Sequence, residues 1–359
     1  QGFKNAVESW WMNRECRILI RRRIGYWPRL NFNFYMDKKK VYFRADADDT
    51  IGYGHWVRSL ALADMLKEDF ECIFCTQSPT DYQKKEMSRV CRYLELPSDD
   101  RKFSFFLELL DGDEIVVLDN FFFTTDYQRL IKTKGCKLVC LGTNDKHYVA
   151  DLIISQSSGD TGVFSVESYT DFCIGLEWAL LRAAFLNNTN KWKKVDIPRH
   201  LVVCFGGSDF YNLTGRVVKI LCNIPFVEKV DVIVGDAYKS DIEIDDRVNV
   251  VLHRNLNADE MVTVFEQNDV AILSASSVCV EAMACRIPVL AGYYVDNQIG
   301  FYNVMISANY IEGLGNLLTD DLSGKLLYGL KNIQSWSLNT PFPDLLGIKS
   351  RYIQKFNEL

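Results

Sequence analysis

No uninterrupted apolar stretch approaches the roughly 18 residues that a membrane-spanning helix needs, and mean hydropathy is −0.07. The sequence therefore offers no candidate span. Histidine is scarce: His55, His147, His200 and His253 are scattered, and none stands at ligand spacing from a cysteine pair, which excludes a zinc site of the usual kind. There is no basic surplus either. The net charge is −6, which argues against a nucleic-acid groove. No short-period repeat is present. The 11 cysteines are odd in number and sit mostly inside apolar runs such as Cys136-Lys-Leu-Val-Cys140. They read as buried free thiols in a cytoplasmic protein, not as a disulfide framework. Cys72-Ile-Phe-Cys75 lies within an expected strand, whereas redox pairs open a helix.

What is present is ordinary globular composition, 48% hydrophobic and 25% charged over 359 residues, enough chain for two domains. Charge is uneven. Residues 1–35 hold seven Lys/Arg against two Glu, leaving 34 basic and 45 acidic groups in the remainder. That leading segment also carries three of the seven Trp and the run Arg21-Arg22-Arg23 without helical or strand period. It reads either as an upstream extension outside the fold or as an arm that contacts a membrane surface, and it lacks the pattern of a signal peptide.

From residue 40 short apolar strands alternate with amphipathic helices. The spacing predicts strands over 41–44, 70–76, 114–119, 137–141 and 151–155, with helices over 55–68 and 126–134. A polar stretch over 182–194 reads as a linker. The pattern then restarts, with strands expected over 201–205, 229–234, 248–252, 270–274 and 288–291, and helices over 213–221, 259–267 and 278–285. Such alternation implies an α/β protein built of two Rossmann-like domains, residues 36–190 and 191–335, facing a central cleft where a ligand would bind. Residues 336–359 are expected to hold a C-terminal helix that crosses back to the first domain.

Four segments carry candidate chemistry. Arg44-Ala-Asp46 leads into Gly52-Tyr53-Gly54-His55 and then Arg58, a strand, glycine turn and helix that aim a helix N-terminus at an anion or a polar sugar. His55 at that mouth is placed to act as a general base, because imidazole titrates near neutrality. Cys204-Phe-Gly206-Gly207-Ser208-Asp209 repeats the strand, turn and helix in a form suited to a diphosphate. In Ser274-Ala-Ser276-Ser277-Val-Cys-Val-Glu281, the serines would present hydroxyls and N–H groups to phosphate, and Glu281 would accept from both ribose hydroxyls. Asn297-Gln298 follows the last of these strands, where paired amides suit sugar hydroxyls or acetamido groups.

Taken together, these motifs and Gly175-Leu-Glu-Trp-Ala-Leu-Leu-Arg182 resemble the UDP-sugar hydrolase family of pseudaminic acid biosynthesis and its spore-coat polysaccharide relatives. The resemblance covers roughly residues 40–320. It implies the two-domain GT-B glycosyltransferase fold and release of UDP from a UDP-2,4-diacetamido-2,4,6-trideoxyhexose. The implied attack by water is inverting and independent of metal or other cofactor. His55 falls on the family's catalytic histidine. Gly206, Gly207, Ser276, Ser277, Glu281, Asn297 and Gln298 fall on its nucleotide side.

Three departures lie in the first half. Asp119-Asn120-Phe121 stands where the family often reads Asp-His-Tyr, Gly142-Thr143 where it reads Asp-Asp, and Ser155 where it reads Asn. Tyr127, His147 and Tyr148 are nearby groups that could compensate. Two other readings therefore stay open: a GT-B glycosyltransferase in which His55 activates an acceptor hydroxyl, and a nucleotide-sugar-binding protein without turnover.

Overall fold

Runs such as Ile115-Val-Val-Leu118 and Leu152-Ile-Ile-Ser155 are buried at every position, as strands of a parallel sheet covered on both faces must be. The computed structural model describes residues 38–48, 51–142, 146–156, 159–187, 194–207, 209–235, 238–242, 247–319, 321–339 and 345–359. The leading segment 1–35, Thr143, Ser208 and residues 188–193 of the expected linker lie outside them.

The first sheet comprises β1 (Lys40–Arg44), β2 (Glu71–Gln77), β3 (Arg92–Leu96), β4 (Ile115–Leu118), β5 (Lys137–Leu141), β6 (Leu152–Ser155) and β7 (Asp171–Ile174), in the order 3-2-1-4-5-6-7. Between its strands run α1 (Gly54–Leu66), α2 (Asp81–Val90), α3 (Arg101–Glu108) and α4 (Thr125–Thr133). A short helix, α5 (Ala183–Leu186), occupies the start of the expected linker and buries Phe185. The second sheet comprises β8 (His200–Cys204), β9 (Lys229–Val234), β10 (Asn249–Arg254), β11 (Val270–Ser274), β12 (Val289–Tyr293) and β13 (Glu312–Asn316), ordered 10-9-8-11-12-13. Its helices are α6 (Leu213–Leu221), α7 (Ala258–Gln267), α8 (Ser277–Ala284), α9 (Ile299–Ser307) and α10 (Leu322–Asn339). All the pairings in both sheets are parallel.

In both sheets the strand order reverses beside the first strand, at β1/β4 and at β8/β11. A crevice opens at the carboxyl ends of the strands at such a point, and the glycine turns after β1 and β8 end there. Local signals fix the helices around it. Thr80 and Gln83 form a capping box on α2, Asn257 and Glu260 another on α7, and Thr124 accepts from the Tyr127 amide at the start of α4. One apolar cluster contains Val41, Phe43 and Leu62 of the first half together with Leu273, Val280 and Val289 of the second.

The chain ends in α11 (Ile348–Glu358). Helix α10 runs through the position where a boundary was expected at residue 335. Helix α11 lies on the first half. Phe356 packs edge-on to Phe70 at 6.1 Å, the Tyr352 hydroxyl donates to the Trp178 carbonyl at 2.5 Å, and Arg351 donates to the Glu177 carbonyl at 2.8 Å. None of the ten described cysteines is in a disulfide, and nine are buried. Burial pushes the Cys75 thiol up to about 12. Among the described residues no helix is long and apolar enough to cross a membrane.

Candidate active site

Helix α1 begins at the crevice because Gly52, at φ +80°, turns the chain out of β1 in a conformation that side chains resist. Tyr53 stands at its N-cap position with no side-chain cap, so the first amides of the helix are open to a ligand. His55 lies on that first turn. Its Nδ1 is 2.6 Å from Asp119 Oδ1, at the end of β4. Arg58 donates to the same carboxylate from Nε at 2.6 Å and again from Nη2, and the Ser59 hydroxyl donates at 3.1 Å.

A carboxylate only accepts, so Nδ1 of His55 carries the proton and Nε2 keeps its lone pair. Arg58 Nη2, at 3.1 Å from Nδ1, cannot donate to a protonated nitrogen and leaves that assignment standing. Burial by itself would raise the Asp119 carboxyl, but Arg58 and His55 outweigh it and hold Asp119 below the ordinary carboxylate value. The pair is thus an oriented imidazole backed by a carboxylate held in its charged form.

Asn120 clasps the other side of the turn, accepting from the Asp46 amide at 2.7 Å and donating to its carbonyl at 3.2 Å. The two loops at the switch point are tied together by that one side chain. Arg44 and Asp46, expected to touch substrate, do not reach the cleft. Both side chains are 0% exposed and pair with each other, Nη2 to Oδ2 at 2.8 Å. Burial would raise the Asp46 carboxyl, yet the Arg44 guanidinium, the Gln77 amide and Lys102 keep it low. Their place is beneath the turn, because residues 44 and 46 share the face of the extended chain that points into the core.

On the opposite wall, Gly206 adopts φ +100° after β8. The helix that follows does not offer its N-terminus to a diphosphate, as the motif had suggested. Asp209, 2% exposed, already accepts from the Leu213 and Thr214 amides at 2.9 and 2.7 Å. The open N-terminus belongs instead to α8, whose N-cap Ser276 makes no side-chain cap. Gly235 was missed by sequence reading. A β-carbon there would lie 2.8 Å from Gly207, so only glycine lets the turns after β8 and β9 meet.

Two cavities adjoin between these walls. One, of about 350 Å³, is lined by Gly52, Tyr53, Gly206, Gly207, Gly235, Asn255, Tyr294 and Glu281. The other, of about 220 Å³, is lined by His55, Arg58, Phe121, Ser155, Gln156, Leu180, Asn297 and Phe301. They share Gly54, Ser276, Ser277 and Gln298, so the open ends of α1 and α8 both border the shared wall. Gln298 is also tied down, accepting from the Tyr294 amide at 3.1 Å.

The departures from the family pattern have structural consequences. Phe121 stands edge-on to His55 at 4.6 Å and supplies an apolar wall where a phenol would supply a hydroxyl. A β-carbon at Gly142 would lie 3.0 Å from the Ile153 side chain and 3.5 Å from Tyr148, so a larger residue there would need Ile153 to shift. Of the three groups that could compensate, Tyr148 alone joins the site, lining a water-sized niche with His55, Arg58 and Gln128. Tyr127 donates to the Phe103 carbonyl, and His147 bonds to Ser165 and Glu167. Among the described residues no group of three or more His, Cys, Asp or Glu is placed to hold a metal.

No family model matches the chain. The chain is 25% identical over 275 residues, 72% of its length and 93% of the relative's, to the UDP-2,4-diacetamido-2,4,6-trideoxy-beta-L-altropyranose hydrolase of Campylobacter jejuni. It is 23% identical over 282 residues, 74% of its length, to the uncharacterized protein MJ1062 of Methanocaldococcus jannaschii, of which it spans 57%. Among solved structures, a UDP-glucosyltransferase from Polygonum tinctorium superposes with TM-score 0.58 at 12% identity, covering 89% of this chain and 98% of that one. The fold is the GT-B fold of glycosyltransferases.

Proposed function

We propose that the protein is an enzyme acting on a nucleotide sugar, and that it hydrolyses a UDP-linked amino-deoxy sugar of the 2,4-diacetamido-2,4,6-trideoxyhexose type in surface-polysaccharide or nonulosonic acid biosynthesis. The observation that carries the reading is the oriented His55–Asp119 pair on one wall, facing the open N-terminus of α8 across a shared cavity. The larger cavity takes the nucleotide, with Glu281 toward the ribose and Gly206, Gly207, Ser276 and Ser277 toward the diphosphate. The smaller takes the sugar.

In the reaction a water oxygen attacks the anomeric carbon while the bond from that carbon to the β-phosphate oxygen breaks. The water proton passes to His55 Nε2, and Asp119 stabilises the imidazolium that results. The charge gathering on departing UDP is met by helix N-termini and serine hydroxyls already in position. Attack from the wall opposite the leaving group inverts the anomeric centre. Leu180, Phe121 and Phe301 give the sugar cavity apolar surface suited to a deoxy carbon and acetyl methyl groups.

The test is UDP release by the full chain from a panel of UDP-linked 2-acetamido and 2,4-diacetamido sugars without acceptor, with His55→Asn alongside. Release from a diacetamido-trideoxy sugar that falls about 10²–10⁴-fold in the variant, with UDP affinity retained, is the expected result. Turnover near wild type in the variant would remove His55 as the base. A second reading is favoured by Phe121, which replaces a polar group beside His55: a glycosyltransferase whose UDP release requires an acceptor hydroxyl. UDP binding without release under either condition would indicate a binding protein.

A further inference from the structure

Gln156 lines the sugar cavity just after β6 and takes no part in the proposed steps. Its side-chain oxygen accepts from the Leu180 backbone amide at 3.1 Å. That bond decides which end of the carboxamide is which, because a backbone N–H needs an acceptor, and it leaves the nitrogen to donate elsewhere. The NH2 group has no hydrogen-bond partner among the described residues, yet it is not one of the polar atoms sealed in the core. Gln128 shows the contrast: its oxygen accepts from the Val149 amide at 3.1 Å, and its nitrogen is sealed. Gln156 is 9% exposed, and its NH2 group opens into the cavity of about 220 Å³ that the residue lines. Gln298 is held in the same way but borders both cavities, whereas Gln156 belongs to the sugar cavity alone.

A carboxamide NH2 can only donate, and so at this depth it discriminates. An amide carbonyl only accepts and matches it, whereas a protonated amine only donates and opposes it. Ile154, Leu180 and Phe301 line the same cavity and offer apolar surface to a methyl group. We propose that Gln156 is a specificity-determining residue: it donates to the carbonyl oxygen of one acetamido group and so selects the N-acetylated sugar over the same sugar with a free amine. The inference rests on the sugar reading of this cavity. It assigns Gln156 no contact with the nucleotide and no part in proton transfer.

The experiment is kcat/KM for UDP release by the full chain from three sugars: the UDP-linked 2,4-diacetamido-2,4,6-trideoxyhexose and its two monoamines, with the free amine on carbon 2 or on carbon 4. Wild type is compared with Gln156→Glu and Gln156→Met. Glutamate keeps an oxygen for the Leu180 amide and turns the donor into an anionic acceptor, and methionine removes both. Wild type should prefer the diacetamido sugar over one of the monoamines by about 10- to 100-fold, a matched hydrogen bond being exchanged for two opposed donors. In Gln156→Glu the preference at that carbon alone should reverse in favour of the amine. In Gln156→Met it should shrink to less than about threefold. UDP titration on the same preparations shows which variants are folded, and either folded variant decides. A preference that survives at both carbons overturns the inference, and so does an equal loss of kcat/KM for all three sugars, which would mark Gln156 as a support for the Leu180 segment only. Wild-type protein that releases UDP from none of the three would instead refute the hydrolase reading itself.

Discussion

Asp119→Asn probes the step on which the proposed chemistry turns. The carboxylate receives His55 Nδ1 and Arg58 Nη2 on one oxygen, and Arg58 Nε and Ser59 Oγ on the other. Asparagine keeps the shape but converts one oxygen into a donor. If the amide nitrogen faces His55, it forces the proton to Nε2 and removes the lone pair that should take the proton from water. If it faces Arg58 Nε, two donors oppose each other beside a guanidinium that has lost its counter-charge. Either way the amide faces one Arg58 donor, Nη2 in the first arrangement and Nε in the second, but in the first Nη2 can turn to the Nδ1 lone pair 3.1 Å away, so the wrong tautomer should prevail and turnover should fall about 10²–10⁴-fold. Losing half of a well-buried ion pair costs about 3–5 kcal/mol. With the Arg58 side chain 24% exposed, the loss here should be nearer about 2 kcal/mol, because water replaces part of the missing interaction. The assay is initial-rate UDP release on the best substrate of the panel, with urea unfolding and UDP titration on the same preparations. UDP affinity should hold, since the side chains assigned to it, Ser276, Ser277 and Glu281, lie on the other wall. Turnover within about threefold of wild type in a folded variant would refute the dyad, because a base whose tautomer is set elsewhere would not feel the change.

Acid stability should report the two buried carboxylates. Asp46 and Asp119 are held below their ordinary value of 3.8. A depressed folded-state pKa contributes stability above the unfolded value and loses it as pH falls through the folded one. Their contribution to Tm should therefore stay level from pH 7 to about 4 and drop away below. Asp46→Asn should flatten part of the acid limb, and an identical limb in that variant would contradict the assignment. At the far end of the chain, Phe356 is 0% exposed. Phe356→Ala should cost about 3–5 kcal/mol in denaturant unfolding while leaving the UDP dissociation constant unchanged. A loss under about 1 kcal/mol would mean that α11 is not the clamp its burial implies.

The central strands were legible because a parallel sheet buries both faces of a strand, and few sequences other than Ile115-Val-Val-Leu118 or Val270-Ala-Ile-Leu-Ser274 satisfy that demand. Less apolar elements were not. Strand β3, Arg-Tyr-Leu-Glu-Leu, lies at the sheet edge with only Leu96 buried. Helix α2 buries only Gln83 and Met87 of ten residues. Neither carries enough apolar pattern to stand out from a loop. The glycine turns were legible for a different reason, since a residue at φ +80° or +100° is written into the sequence as glycine.

By itself, then, the sequence determined two runs of alternating strands and helices, the turns that open a crevice in each, and the histidine and serines that border them, all from local pattern. It did not determine which side chains meet. Asp119 lies 64 residues from His55 and Glu281 lies 99 from Arg182. The first pair meets because the strand order makes β1 and β4 neighbours, the second because α5 packs beside α7 and α8. Arg44 and Asp46 look like ligand residues in the motif, and tertiary structure turned them inward. A buried guanidinium and carboxylate are tolerable only when each answers the other, and their burial exists only once the sheet has formed.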